Sequence, residues 1–270
     1  MKSRLLVALL VTAFAAMGAE TLTPAALTKI AFEQKNGAQL SRDLVFRDET
    51  GKALTLGDYF GRKPVLLVLG YYRCPMLCTV VLDGIIESLQ DLRPSVGNQF
   101  EVINVSIDPR ETPVIAAQQK RVSLKRYGRP GAAEGWHFLT GEAAAIATLA
   151  NEVGFHYAYD SVAKQFAHPS GFVILTPSGK VSRYFFGAQF PPKEVAVAIA
   201  EAGGNQTGAP AHPLFWLCFH YNPLTGKYSH LVVSLIRVCG VATLALLGVL
   251  VVSSKRFGGK GRHDAKVIPP

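Results

Sequence analysis

The sequence predicts a three-layer α/β domain built around a mixed central sheet, carried outside a membrane by one C-terminal helix. Three observations lead there. Apolar runs that read as strands alternate with stretches of helical period between residues 65 and 202. One of those runs, Val65–Leu69, is apolar at every position, the pattern of a strand covered on both faces. Finally, Leu231–Val252 is a 22-residue stretch interrupted by a single charge, Arg237. That is the length needed to cross a hydrocarbon core of about 30 Å.

The elements follow in order. Lys2 and Arg4 precede the apolar stretch Leu5–Met17 and the small pair Gly18–Ala19, the three-part pattern of a secretory signal over residues 1–19. Residues 20–39 are mixed in character and are expected to form a poorly ordered lead-in or a short helix. Leu44–Phe46 and Ala53–Leu56 flank the turn residues Asp48–Gly51 as a small hairpin. After the buried strand, Leu77, Val80, Val81, Ile85 and Leu89 recur at helical spacing. Phe100–Ile107 alternates as a second central strand and ends at Asp108–Pro109. Thr112 and Pro113 supply an N-cap and a first-turn proline for a helix to about Tyr127.

Trp136–Thr140 is a short strand, and Gly141–Glu142 opens an alanine-rich helix ending near Gly154. Gly171–Thr176 and Val181–Phe186 surround the turn Pro177–Lys180, so this pair is antiparallel and the sheet is mixed. Pro191–Ala202 closes the domain, assigned to residues 40–202, as an amphipathic helix. A linker and juxtamembrane stretch covers residues 203–230, the span residues 231–252, and a tail residues 253–270.

The net charge of +9 is mostly topological. The signal carries two positive charges; the tail has five basic residues against Asp264, which leaves +3 for residues 20–252. That is no nucleic-acid footprint. The basic tail instead places the C-terminus in the cytoplasm and the domain on the extracytoplasmic, periplasmic side.

Chemistry concentrates at Cys74-Pro75-Met76-Leu77-Cys78, between the buried strand and the helix that follows. Thiols at i and i+4 share one face of a helix, and a helix N-terminus favours the thiolate, which is both nucleophile and metal ligand. The residues alone leave soft-metal binding and redox exchange both open. The other cysteines are Cys218 and Cys239, and the latter falls inside the expected span. A metal would need a further ligand, and among the seven histidines His168 stands out. His137 and His156 belong to strand segments, and His212, His220, His230 and His263 to the linker, juxtamembrane stretch and tail. His168 occupies a loop directly before a strand, from which it can reach the strand end that carries the cysteines.

Four ordered motifs complete the pattern: Gly70-Tyr-Tyr-Arg-Cys-Pro-Met-Leu-Cys78, Val105-Ser-Ile-Asp-Pro-Arg-Glu-Thr-Pro113, Trp136-His-Phe-Leu-Thr-Gly141, and His168-Pro-Ser followed by Thr176-Pro-Ser-Gly-Lys180. Over residues 40–202 the chain resembles the SCO/SenC family, thioredoxin-like proteins that assist copper loading of cytochrome c oxidase. The resemblance implies that Cys74, Cys78 and His168 are copper ligands. It implies a metallochaperone whose partner is the copper-bearing subunit of the oxidase. Thiolates select Cu(I), and two thiolates with an imidazole also suit Cu(II). Zinc is the competitor, because such a set leaves an open fourth position. Asp108 is a candidate outer-shell residue.

Two positions depart from the family pattern. Thr79 stands where a proline commonly follows the second cysteine, and Ala167 where an aspartate often precedes the histidine. The alternative function is a thiol–disulfide oxidoreductase that reduces the cysteines of the oxidase copper site. The three-residue gap between Cys74 and Cys78 counts against it, since thioredoxin-type pairs have two. The segment around Cys218 and His220 suggests an interfacial aromatic belt through Phe215, Trp216, Phe219 and Tyr221, or a second metal site.

Overall fold

The computed structural model describes residues 30–73, 77–161, 163–208, 221–222, 227–228, 238–244 and 247–248. They fall in two compact units. In the larger, the strands are β1 (Ala31–Phe32), β2 (Val45–Arg47), β3 (Ala53–Thr55), β4 (Val65–Gly70), β5 (Glu101–Ser106), β6 (Trp136–Leu139), β7 (Phe155–His156), β8 (Ala158–Asp160), β9 (Gln165–Ala167), β10 (Gly171–Leu175) and β11 (Val181–Phe186). The helices are α1 (Leu77–Gln90), α2 (Pro113–Tyr127), α3 (Ala143–Glu152) and α4 (Pro192–Gly203).

The central sheet runs β11-β10-β4-β5-β6. β4, β5 and β6 are parallel, while β10 is antiparallel to both its neighbours. The sheet is mixed, as the Pro177–Lys180 turn requires. Alternation along β4 explains why that strand is apolar throughout. Leu66 and Val68 face one core with Ile85 and Leu89 of α1, Ala116 of α2 and Ile199 of α4. Val65, Leu67 and Leu69 face the other, with Ile146 and Leu149 of α3 and Phe46 of the β2–β3 hairpin. Both faces are covered, so no position on β4 can be polar without loss.

Two expectations are corrected. The lead-in is neither loose nor helical over its second half: β1 pairs with β7, and Phe32 is 1% exposed among the rings of Phe155, Tyr184 and Phe186. The buried ring and the backbone bonds of Glu33 to the Gly154 carbonyl (2.8 Å) and Gly37 to the Val181 carbonyl (2.8 Å) tie the segment to the domain. The stretch before His168 is a hairpin, β8–β9, and not a plain loop. Its turn contains Lys164 at a left-handed φ of 54°. With Ser161-Val-Ala-Lys164 in place of Gly or Asn, the sequence carries no turn signal there.

Charges at the far end of the sheet from the cysteine segment yield a first prediction. Glu101 bonds both Lys63 Nζ (3.0 Å) and His137 Nε2 (3.2 Å). Burial pushes the Glu101 carboxyl up, but the hydrogen bonds from His137 and Lys63 and the lysine charge outweigh it and hold the group below its ordinary 4.5. A carboxyl lowered by folding stabilises the fold above its unfolded value, and the gain is lost as pH falls through the folded one. Urea unfolding between pH 6 and pH 3 is therefore expected to show a shallower acid loss in Glu101→Gln than in the wild type. Equal slopes would remove Glu101 from the acid response.

The smaller unit contains the strand pair β12 (Tyr221–Asn222) and β13 (Lys227–Tyr228). Residues 238–244 and 247–248 are helical, with Val238, Val241, Leu244 and Leu247 exposed, as is the thiol of Cys239. Among the described residues, no helix is long and apolar enough to cross a membrane. The signal segment, the remainder of Leu231–Val252, the tail, His212, Cys218, His220 and His230 lie outside the described residues.

Candidate metal centre

The site forms at the carboxyl ends of β4 and β5, where open α/β sheets place their ligands. Gly70 and Ser106 are register partners there, and Ile107 N–H donates to the Gly70 carbonyl (2.8 Å), extending the pairing beyond the strands. The chain leaves β4 through Tyr71, Tyr72 and Arg73 and re-enters regular structure at Leu77. Cys78 is the second residue of α1, whose axis begins at this strand end. Cys74 and the side chain of Cys78 lie outside the described residues. Among the described residues, no group of three or more His, Cys, Asp or Glu could hold a metal ion.

His168 arrives from the opposite direction. β9 ends at Ala167, β10 begins at Gly171, and the half-buried imidazole between them lies over the end of β4. A Cβ built on Gly70 would lie 4.0 Å from its Cε1. The ring packs edge-on to Tyr71 (5.9 Å between centroids) and tilted against Phe155 (5.7 Å). Its Nδ1 is 2.9 Å from the Pro169 carbonyl. A carbonyl only accepts, so Nδ1 donates in this contact, a backbone bond of the kind that orients ligating imidazoles. His168, Gly70, Tyr72, Val81, Gln119 and Ser170 line one cleft.

The structure thus brings His168 to the strand end four residues ahead of Cys74. Of the other described histidines, His137 pairs with Glu101 and His156 with Glu33 (3.2 Å). Asp108 is buried at the end of β5, and both its oxygens bond Arg110, at 2.7 Å (Nε) and 2.8 Å (Nη2). Burial raises its carboxyl pKa, and the Arg110 hydrogen bonds, with Arg110 and Arg73 charges, more than reverse this. Asp108 is an ion there, committed to Arg110.

Sequence reasoning passed over Glu111. This buried carboxylate accepts from Tyr72 N–H (2.8 Å), Arg73 N–H (2.7 Å) and Ser106 Oγ (2.6 Å). The Tyr72 hydroxyl reaches the carbonyls of Asn104 (2.9 Å) and Leu139 (2.7 Å). Burial, and then the charge of Glu111, push that phenol well above its ordinary 10.0, so it remains a donor. A second carboxylate three residues beyond Asp108 in the same motif was the available signal.

A family model described as SCO1/SenC matches residues 32–203. The chain belongs to the SCO1/SenC family. The matched residues start at Phe32, the buried ring of the lead-in. Solved structures agree on the fold. A candidate electron transfer protein from Aquifex aeolicus VF5 is 22% identical, with 66% of this chain and 100% of that chain covered and a TM-score of 0.56. An SCO1/SenC family lipoprotein from Bacillus anthracis is 15% identical over 63% of this chain and 98% of its own, with a TM-score of 0.50. Arabidopsis thaliana ScoI, solved with copper bound, is 16% identical over 60% of this chain and 96% of its own, with a TM-score of 0.49. No curated protein matches. Of the motifs quoted above, Gly70–Arg73, Val105–Asp108 and His168–Ser170 lie at the carboxyl ends of β4 and β5, whereas Thr176–Lys180 follows Leu175, the register partner of Val65, at the other end of the sheet.

Proposed function

We propose that this chain is a copper metallochaperone that binds the ion through Cys74, Cys78 and His168 and passes it to the copper-bearing subunit of cytochrome c oxidase by ligand exchange. The observation that carries the reading is the place of His168: an imidazole bonded to the Pro169 carbonyl and lying over the end of β4, the strand that leads into Cys74. Family membership and the donor chemistry support it. Two thiols and one imidazole fit copper in either common oxidation state. Cys78 is the second residue of α1, where the helix N-terminus favours the deprotonated form that ligation requires. Copper is the cargo, and the chain's part is to hold it away from water until a partner's ligands replace its own.

The reading extends to location. An exported domain held by Leu231–Val252, with the basic tail in the cytoplasm, would sit at high effective concentration beside a membrane-bound partner. The exposed apolar side chains Val238, Val241, Leu244 and Leu247 support this.

The test is copper titration of the full-length chain, purified in mild detergent, against a competing chelator. His168→Ala is expected to weaken Cu(II) binding by more than the roughly 10–100-fold cost of an outer-shell change. Dithiol–disulfide exchange needs no imidazole ligand, so an oxidoreductase would lose nothing by this change. Unaltered Cu(II) affinity in His168→Ala would overturn the ligand assignment.

A further inference from the structure

The two sides of this site come from distant parts of the chain, residues 74–78 and residue 168, yet one short segment bonds the backbone just ahead of the first and packs on the hairpin just ahead of the second. Resting on the copper-binding reading, we propose that Asp108-Pro109-Arg110-Glu111 is a two-armed brace. Glu111 is the positioning residue for the cysteine side and Arg110 for the histidine side.

The first arm is a carboxylate used wholly on backbone and hydroxyl donors. Each oxygen of Glu111 takes one of two successive amides, Tyr72 N–H on Oε2 and Arg73 N–H on Oε1, and Ser106 Oγ also donates to Oε2. Two amides on one carboxylate fix the orientation of the backbone at Tyr72 and Arg73, the two residues ahead of Cys74. Charge-assisted bonds of this kind are about twice as strong as neutral ones. The carboxylate is itself anchored, since Glu111 N–H donates to the Asp108 carbonyl (3.0 Å) and Asp108 N–H to Ser106 Oγ (3.1 Å).

The second arm is a guanidinium held flat. Asp108 grips Arg110 through two parallel bonds, and Arg110 N–H also donates to Asp108 Oδ1 (2.9 Å). So fixed, the guanidinium carbon lies 5.0 Å from the Tyr159 ring centroid and 5.7 Å from that of Phe166. Its Nη1 donates to the Tyr159 hydroxyl (3.3 Å). Tyr159 and Phe166 are cross-strand partners in the β8–β9 hairpin, and Phe166 is two residues before His168. Phe166 also packs edge-on to Tyr71 (5.7 Å), the same ring that meets His168. An arginine whose side chain is 60% exposed is ordinarily mobile. Here three groups orient it against the element that delivers the histidine. Outer contacts that orient ligands tune metal affinity without touching the metal.

The experiment is a double-mutant cycle on the full-length chain, read by Cu(II) competition titration, electron paramagnetic resonance and visible absorption, with thermal unfolding measured alongside. Arg110→Ala and Arg110→Lys are each expected to lower Cu(II) affinity about 10-fold and to alter the nitrogen hyperfine pattern, with a near wild-type unfolding midpoint. Lysine keeps the charge but lacks the planar fork. In the His168→Ala background the same Arg110 changes should cost no more than about 2-fold, because the arm has nothing left to position. Glu111→Gln should weaken the thiolate-to-copper absorption band, and that loss should persist without His168. The brace is overturned if both Arg110 variants bind copper with wild-type affinity and spectra, or if their loss is undiminished without His168. If His168→Ala alone leaves copper binding intact, the functional reading fails first, and the brace falls with it.

Discussion

Trp136→Ala is expected to destabilise the domain by about 3–5 kcal/mol, a large part of the roughly 5–15 kcal/mol that holds a domain folded. Trp136 is fully buried in β6, edge-on to Tyr127 of α2 (5.5 Å) and stacked with Phe138 (6.3 Å). Removing the indole opens a cavity between the sheet and α2 that the surrounding backbone cannot close. It also removes the donor to Asn104 Oδ1 (2.8 Å), and Asn104 is itself buried on β5. An acceptor stripped of its donor in the interior costs about 1–3 kcal/mol more. Trp136→Phe separates the two contributions, since it keeps most of the packing and loses only the hydrogen bond. Chemical denaturation should rank wild type above Trp136→Phe and Trp136→Phe above Trp136→Ala. If the two variants proved equally stable, packing would not be the dominant contribution.

The second large effect lies beside the site. Gly171 begins β10 with φ +144°, a conformation that only glycine adopts readily, and it pairs with Phe186. A Cβ there would stand 2.1 Å from the Phe185 carbonyl oxygen. Backbone strain of this kind costs about 1–3 kcal/mol, and the overlap with a strand carbonyl comes on top. Gly171→Ala is expected in the rare class of changes above about 4 kcal/mol. It should also lower copper affinity, because relief of the overlap must shift the His168–Ser170 loop or open the β10–β11 pair. Gly187→Ala is the control: its φ is +95°, but nothing lies within 4 Å of the added carbon. That change should cost about 1 kcal/mol and leave the metal site unaltered. Similar losses from both substitutions, measured by urea unfolding, would show that torsional strain and not the close approach governs Gly171.

Much of this molecule is legible in its sequence because its strongest signals are local. A short apolar run rich in valine and leucine and bounded by proline and glycine reads as a strand covered on both sides, and Val65–Leu69 is the centre of the sheet. A turn as compact as Pro177–Lys180 can only join antiparallel strands, and it makes the sheet mixed. Thr112 and Pro113 mark the start of α2 at the observed residue. The hairpin ahead of His168 escaped notice for the opposite reason. Its turn has no glycine or asparagine, and Lys164 is held at positive φ by strand pairing and by aromatic packing around Phe166. Phe32, likewise, shows no periodicity in a two-residue strand, and only the rings around it reveal that it is core.

The same division applies to the site. Sequence alone determined that two thiols stand at the junction of a buried strand and a helix, where chain order fixes their proximity. It also determined the family, whose motif order nominated His168. Only the tertiary structure decided that His168 lies over the end of the strand that leads into the two cysteines. Residues 70 and 168 are far apart in the chain, and adjacency of β4 and β10 in the sheet brings them together. The role of Asp108-Pro109-Arg110-Glu111 likewise appears only in three dimensions. Sequence presents two carboxylates and an arginine in one motif and cannot say which partner each chooses. Asp108 takes Arg110, Glu111 takes the amides before Cys74, and Arg110 takes the hairpin before His168. A charge selects its partner by distance and direction, and those are set by the packing of strands remote in sequence.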